Sequence, residues 1–286
     1  MNNPIEFTNI PAWKFHKLNK KLSNHFEDNG YIRAYKSNIV SILAACEDPN
    51  TIIKFLYGLL KFPKRQTNQM HLENALLAGE HRPCNAVGLY EETTSWRWEE
   101  NLSDRYRRVF PMCEFEREVF GGRDCYKDLL DEITALVTYL GFDTPVIYRY
   151  EDVATGIGGI VTHDDEKRLC PTKSSCAIIT HFPQHSSPFW NMARTPDGKY
   201  ALKADVILNG METIGAAVRS CDPEQMMSDF LSVSEGQYVA TLYKHFGKPR
   251  VDAEMESFLS QEFIPRYGGG IGFERLLWAM EANGQL

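Results

Sequence analysis

Tyr267-Gly-Gly-Gly-Ile-Gly-Phe-Glu-Arg275-Leu-Leu, residues 267–277, sets four glycines ahead of a helical stretch, GFERLLWAMEA at 272–282. Glycine has no Cβ, so such a run lets a flat or anionic ligand lie against the backbone. Arg275 falls in the first turn of that helix, where free N–H groups already favour an anion. The run lacks the G-x-x-x-x-G-K-[ST] spacing of a P-loop, so that nucleotide fold is not indicated. Glycines alone are unspecific, and their companions upstream decide what they mean.

Residues 203–219 read Lys203-Ala-Asp205-Val-Ile-Leu-Asn-Gly-Met-Glu212-Thr-Ile-Gly-Ala-Ala-Val-Arg219. Asp205 and Glu212 flank an apolar strand and an Asn209-Gly210 turn, a hairpin signal. Two carboxylates brought together beside phosphates suit magnesium, which takes oxygen ligands from protein and nucleotide. Small Gly215-Ala216-Ala217 leaves room for a ligand. An edge hairpin with surface charge gives the same pattern.

Farther upstream, residues 95–116 read SWRWEENLSDRYRRVFPMCEFE. Alternation places Arg97 and Glu99 on one face of a strand. A polar segment follows, and a second strand leads to Glu114 and Glu116. This hairpin points Arg97, Arg105, Arg107 and Arg108 at any anion above the sheet, and guanidinium suits phosphate through paired, in-plane hydrogen bonds. A solvated hairpin whose Arg and Glu pair with one another also fits. Arg65-Gln-Thr-Asn-Gln69-Met-His71-Leu-Glu73 offers polar groups to a small ligand, and is equally an ordinary helix start with a Thr cap.

Apolar spacing predicts helices over 13–26, 51–61 and 125–142, the last closed by Gly141. Asn29-Gly30 stops the first, and YIRAY at 31–35 reads as a strand entering the core. Further strands are expected at 86–90, 109–115, 145–149, 176–180 and 201–208. A helix, then separated strands, then helices predicts an α+β fold, a mainly antiparallel sheet flanked by helices, in a single domain over 1–286.

The 286 residues carry 31 Lys+Arg against 38 Asp+Glu, a net charge of −7, which argues against a broad nucleic-acid grip. With 43% hydrophobic and 24% charged residues the chain is ordinarily globular. No run suffices for a membrane span and no signal peptide opens the chain, so a soluble, cytoplasmic protein is expected. Seven cysteines without a C-x-x-C read as reduced thiols rather than a disulfide or zinc framework.

Together and in this order, these segments resemble the catalytic domain of class II aminoacyl-tRNA synthetases. The asparaginyl branch is nearest, with the aspartyl enzymes and aspartyl-like asparagine synthetases as relatives. Residues 13–35 resemble the first, dimer-forming motif, 96–116 the second and YGGGIGFERL the third. The resemblance implies a homodimer and ATP with magnesium as cofactors. It implies Arg97 and Arg275 as catalytic residues, and Arg97, Glu99, Arg105, Phe110, Glu212 and Arg275 around ATP. Asp205 and Glu212 would take the metal. Glu47, Gln69 and Glu114 would meet the substrate ammonium, and Arg219 the side-chain oxygen.

Several positions depart from the family. Lys36-Ser37 follow Tyr35 where the first motif usually ends in proline, and Tyr106 replaces the second-motif histidine after Arg105. Leu72 stands three residues after Gln69, where the aspartyl enzymes and asparagine synthetases carry lysine, which favours asparagine over aspartate. The first motif begins within thirty residues of Met1, leaving no room for an N-terminal anticodon-binding barrel and arguing against ordinary tRNA recognition. The expected activity is therefore formation of an aminoacyl-adenylate from ATP and an asparagine- or aspartate-type amino acid. Transfer to ammonia or a small amine would then give an amide. The alternatives are a stand-alone enzyme charging tRNA or a tRNA-like acceptor, and a non-catalytic amino-acid sensor.

Overall fold

The computed structural model describes residues 10–35, 41–45, 48–103 and 105–286. Lys36, Ser37 and Glu47 lie outside the described residues. The strands are β1 (Tyr31–Arg33), β2 (Lys54–Tyr57), β3 (Leu60–Pro63), β4 (Gly88–Trp96), β5 (Val109–Glu118), β6 (Val146–Arg149), β7 (Cys176–Pro183), β8 (Tyr200–Leu208), β9 (Met211–Val218) and β10 (Arg266–Gly272). Eight form one sheet in the order β1-β4-β5-β10-β9-β8-β7-β6. Its outermost pairs, β1–β4 and β6–β7, are parallel and all pairs between them antiparallel, as an α+β architecture requires.

The helices are α1 (Ala12–Asp28), α2 (Ile42–Ala45), α3 (Gln69–Leu77), α4 (Cys125–Tyr139), α5 (Tyr150–Val153), α6 (His163–Leu169), α7 (Pro223–Ser232), α8 (Gln237–Phe246), α9 (Lys248–Leu259) and α10 (Phe273–Ala282). Leu18, Leu22 and Phe26 of α1, Ile133 and Val137 of α4, and Leu276 and Met280 of α10 share one core with Phe115, Val206 and Ile271 of the sheet. Their 3.6-residue spacing put these side chains on one stripe per helix, which the sheet covers. A separate core gathers Phe230, Leu242 and Met255 of α7–α9 around Trp190. Among the described residues no helix is long and apolar enough to cross a membrane.

Two expectations need correction, and one strand was not anticipated. Residues 51–61 form no helix; they are the hairpin β2–β3, with Phe55 opposite Phe62 and a turn at Gly58 (φ +63°). Leu56, Tyr57, Leu59 and Leu60 are exposed, so the apolar run has no buried helical face, and turn chemistry overrides the apparent period. The glycines at 268–272 are a strand, held between β5 and β9 in the middle of the sheet. Arg97 and Glu99 do not share a strand face: β4 ends at Trp96, and only the Arg97 N–H still reaches across, to the Arg108 carbonyl at 2.8 Å.

Candidate active site

The face of the sheet opposite α4 holds a cavity of about 440 Å³. Its floor depends on β10 lacking side chains. Gly268 faces Glu116 in the register of β5, and a Cβ there would overlap the Glu116 carboxylate. That carboxylate, fully buried, accepts from Arg219 Nε at 3.0 Å and Nη2 at 2.5 Å. Arg219 also donates to Gln69 Oε1 at 3.1 Å, so β5, β9 and α3 meet at one end of the cavity. Burial pushes the Glu116 carboxyl up, and the Arg219 charge opposes the shift.

The other end gathers guanidinium groups. Arg97 follows β4, Arg105 and Arg107 come from the hairpin loop and Arg275 from α10, and all four line the cavity with Glu99, Phe110 and Glu212. Arg97 stands 6.0 Å from the Phe110 ring centre. Arg275 donates to the Glu212 carbonyl at 2.7 Å and the Arg105 carbonyl at 3.1 Å, tying α10 to both hairpins. Its burial disfavours the charged form, which Glu212 partly offsets. Arg105 is paired with the Glu166 carboxylate, which also accepts from the Glu212 N–H at 3.2 Å.

Asp205 and Glu212 converge over Gly215. A Cβ on that glycine would lie 3.4 Å from Glu212 Oε1 and 3.7 Å from Asp205 Oδ1. Asp205 is 8% exposed; its Oδ2 accepts from Lys203 Nζ at 2.6 Å and its Oδ1 has no hydrogen-bond partner. Burial pushes this carboxyl up; Lys203 opposes the shift and Glu212 adds to it. Two oxygen donors aimed at one place, one unsatisfied, fit a hard divalent cation.

Sequence-derived residues divide accordingly. Arg97, Glu99, Arg105, Phe110, Gln69, Glu212, Arg219 and Arg275 share the cavity wall. Asp205 lines an adjoining chamber rather than this one. Glu114 lines neither; it is fully buried and accepts from the Thr67 hydroxyl and the Asn68 N–H, fixing the start of α3. Burial pushes its carboxyl up to about 8. Leu72 packs with Ala75, Leu76 and Leu89, away from the cavity. Tyr106, in the place of the expected histidine, bonds His163 Nε2 at 3.2 Å. The sequence did not single out Glu166, His163 or Trp278. A Thr162–Asp165 capping box opens α6 and was a readable signal for the helix that brings the first two.

A family model described as tRNA synthetases class II (D, K and N) matches residues 14–284. The chain belongs to this family. No curated protein matches the sequence. Among solved structures, this class II synthetase chain is similar to the asparaginyl-tRNA synthetase of Pyrococcus horikoshii complexed with asparaginyl-adenylate, at 18% identity and TM-score 0.70 over 94% of this chain and 66% of that one. It is similar to the Entamoeba histolytica asparaginyl-tRNA synthetase in complex with asparaginyl-adenylate at 16% identity and TM-score 0.71, over 94% of this chain and 63% of that one. A putative aspartyl-tRNA synthetase of Leishmania major Friedlin gives 14% identity and TM-score 0.68, over 94% and 62%. These likenesses are of fold, and the class II synthetase chain spans 62% to 66% of their lengths.

Proposed function

We propose that the protein activates an asparagine-type amino acid with ATP, forming an aminoacyl-adenylate and pyrophosphate, and passes the acyl group to a small nitrogen nucleophile to make an amide. The observation that carries this is the convergence of Arg97 and Arg105 from the β4–β5 connection and Arg275 from α10 on one cavity whose other end holds Arg219 and Gln69. The substrate carboxylate itself attacks the α-phosphorus, so catalysis is positioning and charge stabilisation. Arg97 holds the attacking carboxylate and the α-phosphate. Arg275 and Arg105 hold the outer phosphates, and Glu99 and Phe110 bound the nucleotide. Asp205 and Glu212 would hold magnesium, which when bound offsets phosphate charge.

At the amino-acid end, Gln69 serves the ammonium, a role that the family resemblance alone also gives to Glu47, and Glu114 acts one step back by fixing α3. Arg219 already has its charge matched by Glu116. An amide carbonyl can accept from it, whereas a carboxylate would leave excess negative charge in a buried place, which favours asparagine over aspartate. A small acceptor, ammonia or an amine, agrees with the net charge of −7. A homodimer through α1 and β1, acting in the cytoplasm, completes the proposal.

The test is amino-acid-dependent exchange of pyrophosphate into ATP across the twenty amino acids, with asparagine expected to give the highest rate. No exchange with any of them overturns activation. AMP release that requires tRNA and ignores ammonia and amines overturns the acceptor.

A further inference from the structure

Beside the nucleotide cavity lies a second chamber of about 480 Å³, and the two share Val161, Glu166, Met192, Lys203 and Glu212 as a common wall. The chambers differ in chemistry. The first is rich in arginine. The second is lined by four acids, Asp48, Glu166, Asp205 and Glu212, against Lys203 as the one cation among its described lining residues. Tyr150, Phe182, Phe189 and Tyr238 supply its aromatic surface. Such walls reject a second anion and accept a cation with an apolar body.

Lys203 already shows how an alkylammonium sits there. Its Nζ lies 4.2 Å from the centre of the Phe182 ring and 2.6 Å from Asp205 Oδ2. The other Asp205 oxygen, Oδ1, lies toward Gly215 in the first cavity and is the one assigned to magnesium above. An aromatic ring and a carboxylate meeting one ammonium is the pattern that holds an amine by cation–π and charge-assisted contacts together.

We infer that this second chamber is the acceptor site and takes a primary alkylamine in its ammonium form, delivering the nitrogen across the shared wall to the adenylate. This rests on the amide-forming activity proposed above and names its acceptor class. In the transfer, the amine nitrogen forms a bond to the acyl carbon and the bond from that carbon to the phosphate oxygen breaks. AMP leaves, and the two protons lost by the ammonium nitrogen pass to water.

The probe is n-butylamine, the small-molecule equivalent of a lysine side chain. With asparagine and ATP it should raise AMP release and give the N-butyl amide by mass spectrometry. Thr241→Trp on the chamber wall and Gln237→Trp at its exposed end fill the second space without touching the first. Each should lower kcat/KM for n-butylamine by about tenfold or more, a loss of about 1.4 kcal/mol or more. Pyrophosphate exchange should hold its wild-type rate, which also reports that the variants fold. Ammonia-dependent release, which needs no apolar wall, should survive. Amide formed from ammonia but never from n-butylamine overturns the inference, as does an unchanged n-butylamine response in both variants. Calorimetry with n-butylammonium chloride alone separates the two proposals. Binding that both variants abolish, without any exchange, supports the chamber and removes the activation reading; exchange without amine binding or amide removes the chamber.

Discussion

Arg219, on the cavity wall, and Glu116 face each other, 4% and 0% exposed, joined through two nitrogens of one guanidinium on a single carboxylate oxygen. The pair exists because Gly268, opposite Glu116 on β10, leaves its Cβ space to the carboxylate. Removing one partner would leave the other charge buried and uncompensated. Glu116→Ala should therefore cost about 3–5 kcal/mol of stability, measured by urea unfolding. A loss below about 1 kcal/mol, the range of an exposed pair, would show that the arginine is not enclosed.

Arg97→Ala removes the guanidinium assigned to the attacking carboxylate and α-phosphate. Pyrophosphate exchange should fall by about two to three orders of magnitude, comparable to losing a preorganised charge-stabilising donor. Wild-type exchange in this variant would refute the assignment.

Chelation with EDTA should stop exchange, and added magnesium should restore it. Glu212→Gln, which replaces one of the two carboxylates over Gly215, should raise the magnesium needed for half-maximal exchange by about tenfold. An unchanged magnesium titration would move the metal elsewhere.

Glu114 gives a pH prediction. Burial pushes its carboxyl up to about 8, so through mildly acid and neutral pH the folded chain keeps a proton that the unfolded chain has lost. Its contribution to stability is full below the ordinary carboxylate range and fades as pH rises through about 8. Glu114→Gln should flatten the fall of the urea midpoint between about pH 5 and about pH 8. A variant whose midpoint falls as steeply as wild type would contradict the burial.

Leu72→Lys restores the lysine of the aspartyl relatives by residue count. Leu72 is fully buried against Ala75, Leu76 and Leu89, so the charge would enter a core rather than the cavity. Loss of stability by about 2 kcal/mol or more is expected, without gain of aspartate-dependent exchange. Aspartate activation in this variant would show that α3 turns differently.

Local rules made much of the fold legible. Helix α4 announces itself by its apolar spacing, by Asp124, whose side chain accepts from the Tyr126 and Lys127 N–H groups, and by Gly141 at φ +94° just past its end. The β8–β9 hairpin follows from Asn209 and Gly210, both at positive φ. Strand β10 was hidden because glycine carries no strand preference; its neighbours on both sides impose the extended form. The β2–β3 hairpin was hidden because its apolar residues, left exposed, imitate a helical stripe.

From the amino-acid order alone came the residue types of the site, their sequence along the chain and the mainly antiparallel α+β class, because caps, turns and periodicity act over a few residues. Tertiary structure alone decided which groups meet. Glu114 and Glu116 are two residues apart on β5, yet the first is enclosed against α3 and the second takes Arg219. Gln69 reaches Arg219 across 150 positions, and Lys203 and Glu166 enter the cavity wall without a motif of their own. Such pairings follow from sheet register and from the close approach that glycine permits, and neither is written in local sequence.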